Sequence, residues 1–372
     1  MKNKRKKKHL VLYIALFLIL FLLSTLFMPF SLTGKSNTAE EGNIMSEALE
    51  GKNPVISEIA MLGAHDAFSS GISYDSSSDY NEGGIVTNKA VNAIAKGLVV
   101  RMSKAQKADA SELLYAGVRY FDVRVALIDG VYYTVHGYIS STLESYLKET
   151  VDFIDEHPGE FIIFDIQHFY TESGSNYSLS DTDYLELFTF IDSVKSDEGH
   201  SLLDFVHYNS LSDDLSSLTY NIVTGNALAG GAVITIKNDS ISYAFDRDGE
   251  QSEKESVRSL WHNDNKTSIM IDEIGKEAAY IESNYTELEG ELRVNQAQKT
   301  GFIMNAKLVR SLFSWSILDM AASFNKELVK DEERFTAWLH AMPIVMVDYA
   351  DSNNGDFNTQ VNQLIKSYNE SL

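Results

Sequence analysis

Residue types that can transfer protons or bind phosphate stand at the ends of short apolar runs. Five of them lie in or directly after such a run: His65, Asp66, Arg124, His136 and Asp348. One imidazole can take a proton from a nucleophile, a second can protonate a leaving oxygen, and a guanidinium can stabilise negative charge on phosphorus. Carboxylates beside the imidazoles fix their tautomers and raise their basicity. These residue types therefore indicate cleavage of a phosphodiester by general acid-base catalysis.

The apolar runs themselves predict buried strands. They are four to eight residues long, rich in β-branched or aromatic residues, and bounded by glycine or polar clusters. The predicted strands cover residues 56–62, 119–125, 131–135, 161–166, 232–237, 301–304 and 344–347. The fourth run also ends in polar groups, since it contains Asp165 and is followed by Gln167 and His168.

Helices are predicted between these strands. In residues 142–156 the apolar side chains form one stripe, and the sequence His157-Pro158-Gly159 predicts the end of that helix. A second helix is predicted over 108–116, and residues 75–105 read as a long insertion. Alternating helices and apolar strands predict a parallel α/β barrel, with an open doubly wound sheet as the alternative. In a barrel, reactive residues gather at the carboxyl ends of the strands.

The N-terminus carries a separate signal. Residues 10–30 contain no charge, and as a helix they would reach about 31 Å, which matches a bilayer core. Residues 1–9 are basic and predict a cytoplasmic N-terminus with the remainder outside. We expect an uncleaved transmembrane anchor, the alternative being a removed signal peptide. A polar tether over 31–52 and one catalytic domain over 53–372 complete the predicted organisation.

Composition excludes several classes of function. The chain has 372 residues and a formal net charge of −22, which argues against binding to nucleic acid or to anionic surfaces through a basic patch. Because cysteine is absent, a disulfide framework, a zinc-thiolate site and a cysteine nucleophile are excluded. Nothing in the sequence requires an oligomer, so we expect a monomer.

The order of the motifs resembles the X-domain family of phosphatidylinositol-specific phospholipases C. Within it, the chain is most similar to bacterial-type proteins that consist of an X domain alone. The resemblance rests on five segments in the family's order: MLGAHDAF (61–68), SELLYAGVRYFDVRV (111–125), VHGYIS (135–140), DEHPGEFIIFDIQHFY (155–170) and PIVMVDY (343–349). Between 171 and 340 the likeness is scattered.

The resemblance implies an irregular TIM barrel and a two-step mechanism that passes through a cyclic inositol phosphate. It implies that His65 is the base for the inositol 2-hydroxyl and that His136 is the acid for the diacylglycerol oxygen. Arg124 would stabilise the phosphate, Asp348 would orient the base, and Asp66 would partner the acid. The enzyme would then be a phosphoric diester hydrolase, or diacylglycerol-lyase, that cleaves the glycerol-phosphate bond.

The same resemblance bears on metals and on the head group. Calcium-dependent relatives carry Asn after the first His and acidic residues where Arg124 and Gln167 stand here, so we expect no cofactor. Were calcium required after all, its ligands would be Asp66, Asp122 and Asp165. The expected contacts to the head group of a membrane phospholipid are Gln167, Lys237, Tyr349 and His168.

Two other functions remain open at this point. The chain can be a non-catalytic X-domain module that binds such head groups, or a phosphodiesterase for another cell-surface phosphodiester. In each case the N-terminal segment predicts a location outside the cytoplasm, either anchored at the cell membrane or secreted.

Overall fold

The computed structural model describes residues 42–79, 96–97, 99–171, 178–209, 211, 214–301, 316–352 and 356–372. Its strands are β1 (Met61–Ala64), β2 (Val118–Ile128), β3 (Val131–Val135), β4 (Ile139–Thr142), β5 (Phe161–Tyr170), β6 (Gly231–Asn238), β7 (Ile241–Phe245), β8 (Val257–Ser259), β9 (Leu292–Gln296) and β10 (Ile344–Val347).

All strands belong to one sheet. Its order is β7-β6-β5-β2-β1-β10-β9-β8, with β3 and β4 attached as antiparallel strands to the side of β2. In the series β6-β5-β2-β1-β10-β9-β8 each strand is parallel to the next. Strand β7 is antiparallel to β6. The sheet curls until its two ends meet, where the amide of Ser256 donates to the carbonyl of Ser242 at 2.7 Å. The predicted α/β barrel is therefore confirmed as a barrel-like fold, irregular at the β7 and β8 edges.

Helices cover the outside of this sheet. They are α1 (Ile44–Ala48), α2 (Ala110–Tyr115), α3 (Leu143–Glu156), α4 (Asp181–Ser193), α5 (Tyr220–Val223), α6 (Thr267–Ser283), α7 (Tyr285–Leu288), α8 (Ile317–Val329), α9 (Glu332–Ala341) and α10 (Phe357–Asn369). In α3 the apolar stripe is buried as predicted, and His157 is its C-cap residue. Within the described ranges, no helix combines the length and the apolar character that crossing a membrane requires.

A buried ion pair lies at the amino end of β2, between the sheet and the helices outside it. Arg119 Nε lies 2.8 Å from Glu160 Oε2, and both side chains are at most 1% exposed. Glu160 also accepts from the amide and hydroxyl of Ser46, and Arg119 donates to the carbonyl of Gly42 at 2.8 Å. The predicted polar tether over 31–52 is therefore wrong for residues 42–52, because α1 docks here with Met45 and Leu49 buried.

Other sequence-based boundaries differ from the structure. The predicted strand 56–62 is a 3₁₀ turn, Ile56–Glu58, followed by β1, because an apolar run alone does not separate a strand from another buried segment. Strands β4, β7, β8 and β9 were not predicted. The predicted anchor 10–30, residues 1–9 and most of the predicted strand 301–304 lie outside the described residues.

Candidate active site

The carboxyl ends of β1, β2, β3 and β10 bring together the side chains on which the sequence analysis centred. The amide of His65, just after β1, donates to the carbonyl of Val347 in β10 at 3.0 Å. This bond sets His65 beside Asp348, which follows β10. Arg124 belongs to β2, and His136 follows β3. The structure thus places these four residues and Asp66 at one rim of the barrel.

His65 is held by three carboxylates. Its Nδ1 lies 2.7 Å from Asp348 Oδ1, while its Nε2 lies 3.3 Å from Asp66 Oδ2 and 3.9 Å from Asp122 Oδ2. Burial works against the charged imidazole, but Asp66 and Asp348 outweigh it and raise the pKa of His65 to about 9. Because a carboxylate only accepts hydrogen bonds, the short contact with Asp348 fixes a proton on Nδ1 and leaves Nε2 to exchange protons.

Asp66 lies at the centre of the cluster. Its Oδ1 is 2.5 Å from Arg124 Nε, and its Oδ2 is 3.2 Å from His136 Nδ1. Burial works to raise the pKa of Asp66, yet Arg124 and the two imidazoles hold that pKa well below its usual range. The backbone of Asp66 has φ +41°, a left-handed conformation that is uncommon outside glycine. One carboxylate therefore occupies the space between three groups that can bind an anion.

His136 has a second neighbour that the sequence did not reveal. Its Nδ1 lies 2.8 Å from the backbone carbonyl of Ser103, a residue in the segment between β1 and β2. The ring centroids of His136 and His65 are 6.4 Å apart, and the rings are nearly perpendicular. A carbonyl contact leaves no side-chain signal, so no motif identifies Ser103.

Asp122, in β2, contacts the backbone of Asp66. Its Oδ2 accepts from the Asp66 amide at 3.2 Å, whereas its buried Oδ1 accepts no hydrogen bond from the described residues. Burial raises the pKa of Asp122, and the charge of His65 partly offsets that rise. Asp122 was predicted only as a metal ligand, although it lies two residues before Arg124 on the same predicted strand, a spacing that puts both side chains on one face.

The predicted head-group contacts divide into two sets. Asp165 Oδ2 accepts from Gln167 Nε2 at 2.6 Å, and Gln167 Oε1 accepts from Lys237 Nζ at 3.5 Å. This row continues the rim from β5 to β6. His168 pairs in register with Arg124 on β2, and burial, together with the charge of Arg124, lowers the pKa of His168 to about 3. Gln167, Lys237 and His168 thus line the same rim as the cluster.

Tyr349 is not brought to this rim. Its side chain is 3% exposed and packs with Ala105, Ile317 and Met320, and its hydroxyl donates to the carbonyl of Lys104 at 2.9 Å. Tyr349 has φ +50°, so the chain leaves the extended conformation of β10 directly after Asp348 and turns this side chain away from the rim.

A metal ion bound at this rim would have both nitrogen and oxygen ligands. Among the described residues, one group has ligand atoms within 4.8 Å of each other: His65, Asp66 and Asp122. Asp165, predicted as a third ligand, lies outside that group, and its carboxylate accepts hydrogen bonds from Tyr120, Thr235 and Gln167. Burial raises the pKa of Asp165 to about 6. Calcium prefers six to eight oxygen ligands, and here the cationic Arg124 stands in contact with Asp66.

Comparison with curated proteins finds relatives for about a third of the chain. The chain is 32% identical over 129 residues to the PI-PLC X domain-containing protein 2 of Mus musculus, which covers 34% of this chain and 38% of that protein. It is 31% identical over 131 residues to the variant-surface-glycoprotein phospholipase C of Trypanosoma cruzi, which covers 32% of this chain and 34% of that protein. The matches thus span less than two fifths of these relatives. No family model matches the chain.

Solved structures match over most of the chain. A phosphatidylinositol-specific phospholipase C from Staphylococcus aureus, 16% identical, superimposes with a TM-score of 0.56 and covers 90% of this chain and 99% of its own. The enzyme from Listeria monocytogenes, 15% identical, gives a TM-score of 0.55 and covers 87% and 97%. These likenesses establish the fold. Together with the named relatives, they confirm the resemblance to the X-domain family of phosphatidylinositol-specific phospholipases C.

Proposed function

We propose that this chain is a phosphodiesterase that cleaves the glycerol-phosphate bond of phosphatidylinositol-type lipids by general acid-base catalysis. The observation that carries the proposal is the contact of Asp66 with Arg124, His136 and His65 at 2.5 to 3.3 Å. Two imidazoles and a guanidinium that converge on one anionic group form a site for a phosphodiester.

In the first step, His65 acts as the base. Its Nε2 takes the proton of the inositol 2-hydroxyl, and the resulting oxygen attacks phosphorus to close a five-membered cyclic phosphate. Asp348 stabilises the imidazolium that forms, because its carboxylate already lies 2.7 Å from Nδ1. Arg124 donates to a non-bridging phosphate oxygen as negative charge grows on that oxygen. For this, the contact of Arg124 with Asp66 is replaced by a contact with the substrate.

His136 acts as the acid in the same step. Both neighbours of its Nδ1, Ser103 O and Asp66 Oδ2, are acceptors, so that nitrogen keeps its proton and Nε2 is the nitrogen that protonates the diacylglycerol oxygen. As the bond from phosphorus to that oxygen breaks, the proton of Nε2 passes to the leaving oxygen. Diacylglycerol and a cyclic inositol phosphate are the products.

We propose that the reaction needs no metal ion. Arg124 already supplies a positive charge 2.5 Å from Asp66, so a divalent cation bound to the same carboxylate would be repelled by that guanidinium. Were an ion bound, His65, Asp66 and Asp122 would hold it and it would polarise a phosphate oxygen.

Head-group contacts and location complete the proposal. Gln167, Lys237 and His168 line the rim beside Arg124 and are the proposed contacts to inositol hydroxyls. We further propose that residues 10–30 anchor the chain at the cell membrane with the barrel outside the cytoplasm. That part rests on the length and apolar character of the segment.

The test is product analysis with the full chain. Phosphatidylinositol vesicles are incubated with the protein, with and without EDTA, and ³¹P NMR follows the cyclic phosphate. We expect the signal in both samples. His65→Ala and His136→Ala should each lower turnover by about 10² or more, as loss of a general base or acid does.

Other outcomes select other functions. Binding of the vesicles without cleavage, with or without added calcium, would favour the non-catalytic module. Cleavage of a glycerophosphate polymer but not of phosphatidylinositol would favour another cell-surface phosphodiester. An activity that EDTA abolishes and calcium restores would refute metal independence.

A further inference from the structure

The loop that carries His136 is bracketed by backbone from the segment between β1 and β2. The amide of Asp79 donates to the carbonyl of Gly137 at 2.9 Å, and the amide of Ile139 donates to the carbonyl of Ser77 at 2.9 Å. Gly137 has φ +68°, a conformation that lets the chain turn sharply directly after His136. Residues 77–79 thus extend the β3–β4 hairpin by a short antiparallel bridge.

A second part of the same segment reaches His136 from the other side. Residues 99–103 form a turn in which the amide of Ser103 donates to the carbonyl of Val100 and the hydroxyl of Ser103 donates to the carbonyl of Val99. This turn leaves the carbonyl of Ser103 directed at His136 Nδ1, 2.8 Å away. Ser103 is only 5% exposed, so water does not readily replace it.

A small apolar cluster joins the turn to the loop. Ile72, Val100 and Tyr138 pack together, each at most 1% exposed, and they form a cluster separate from the main core. Tyr138 lies two residues after His136, and Val100 lies three residues before Ser103. The cluster therefore fixes the distance between the carbonyl of Ser103 and the imidazole of His136.

We propose that this cluster positions the general acid, and that Val100 is a positioning residue that acts on His136 through the carbonyl of Ser103. The inference rests on the proposed function, since it assigns a task to the site described above. Asp66 alone cannot orient His136 during turnover, because Arg124 and His65 compete for the same carboxylate and a bound phosphate would displace it. Ser103 offers a neutral acceptor that no bound anion displaces.

Two substrates with different leaving groups distinguish a positioning role of Val100 from a general effect on protein stability. An alkoxide such as that of diacylglycerol needs protonation as it leaves, whereas a nitrophenolate leaves readily without an acid. Loosening the acid should therefore slow cleavage of the lipid and spare a nitrophenyl ester of inositol phosphate. A variant that simply folds less well would slow both substrates equally.

The experiment compares Val100→Ala with Val151→Ala in the full chain. Val151 is equally buried, lies in α3 and is remote from the rim, so it matches the change in volume. We expect Val100→Ala to lower kcat for the lipid by about tenfold or more while the nitrophenyl ester changes by less than about threefold. Val151→Ala should leave the ratio of the two rates at the wild-type value.

Three results decide the matter. Equal losses on both substrates in Val100→Ala, or no loss on either, would overturn the positioning role. If the wild-type protein cleaves neither substrate, the proposed function itself fails. Should Val100→Ala not fold, Ile72→Val tests the same cluster. Independently of any variant, ¹⁵N NMR of the wild-type protein must show that neutral His136 carries its proton on Nδ1. A proton on Nε2 instead would refute the inference.

Discussion

Replacement of Asp348 by Asn isolates the electrostatic control of the proposed base. Asp348 Oδ1 lies 2.7 Å from His65 Nδ1 and is almost fully buried. At an effective dielectric constant of about 20, unit charges centred about 4 Å apart interact by about 4 kcal/mol. Since one pKa unit corresponds to about 1.4 kcal/mol, loss of this charge should lower the pKa of His65 by up to about 3 units.

The direction of the effect on rate follows from the proton balance. In the wild-type protein the pKa of His65 is raised to about 9, so the neutral, basic form is lost as pH falls below 9. We therefore expect the rising limb of kcat/KM that reports on His65 to lie near pH 9. In Asp348→Asn the rise should end near pH 6 to 7. Because a weaker base accepts a proton less readily, the plateau should lie about 10- to 100-fold lower.

The assay is the initial rate of cyclic phosphate release from a short-chain phosphatidylinositol between pH 5 and 10. A matched control is Asp351→Asn, since Asp351 is also buried and, among the described residues, has no ion pair or hydrogen bond with His65. Its profile should coincide with that of the wild-type protein. An acidic limb that stays at the same pH in Asp348→Asn would refute the assignment of that limb to His65.

Two further predictions concern other buried charges. Glu160→Gln leaves Arg119 as an uncompensated buried charge and should lower the free energy of unfolding, measured in urea, by about 3 to 5 kcal/mol. The control Glu47→Gln breaks an exposed pair with Lys366 and should lower it by less than about 1 kcal/mol. Equal losses in the two variants would contradict the role given to the buried pair. In Asp66→Asn a neutral amide replaces the carboxylate that competes with phosphate, so calorimetry should show inorganic phosphate bound about tenfold more tightly, while turnover falls. Weaker binding would show that Asp66 does not occupy the anion site.

Much of the fold follows from local patterns. The run 344–347 is β10 residue for residue, and α3 begins and ends within one residue of its predicted bounds, because a continuous apolar strand and an amphipathic stripe are strong signals. Strand β8, only three residues long, has no such signal. Residues 42–52 read as a polar tether because α1 is short, and its burial depends on Arg119 and Glu160, far away in sequence.

The site shows the same division. Its titratable side chains stand next to predicted strand ends, so barrel topology brings His65, Arg124 and Asp348 together. The acceptor at Ser103 is a backbone carbonyl, and its position depends on how the segment between β1 and β2 packs. Tyr349 was misplaced because the sequence does not show which face of the chain each residue takes after β10.

The position of Gly42 has a consequence for how the protein can be presented. Strand β2 carries Arg119 at its amino end and Arg124 at the rim, five residues or about 17 Å further along. Since Arg119 holds the carbonyl of Gly42, that glycine is fixed at the amino end of β2, away from the histidines. A solid support or fusion partner joined directly to Gly42 would therefore be attached at that end and leave the mouth of the barrel open to substrate.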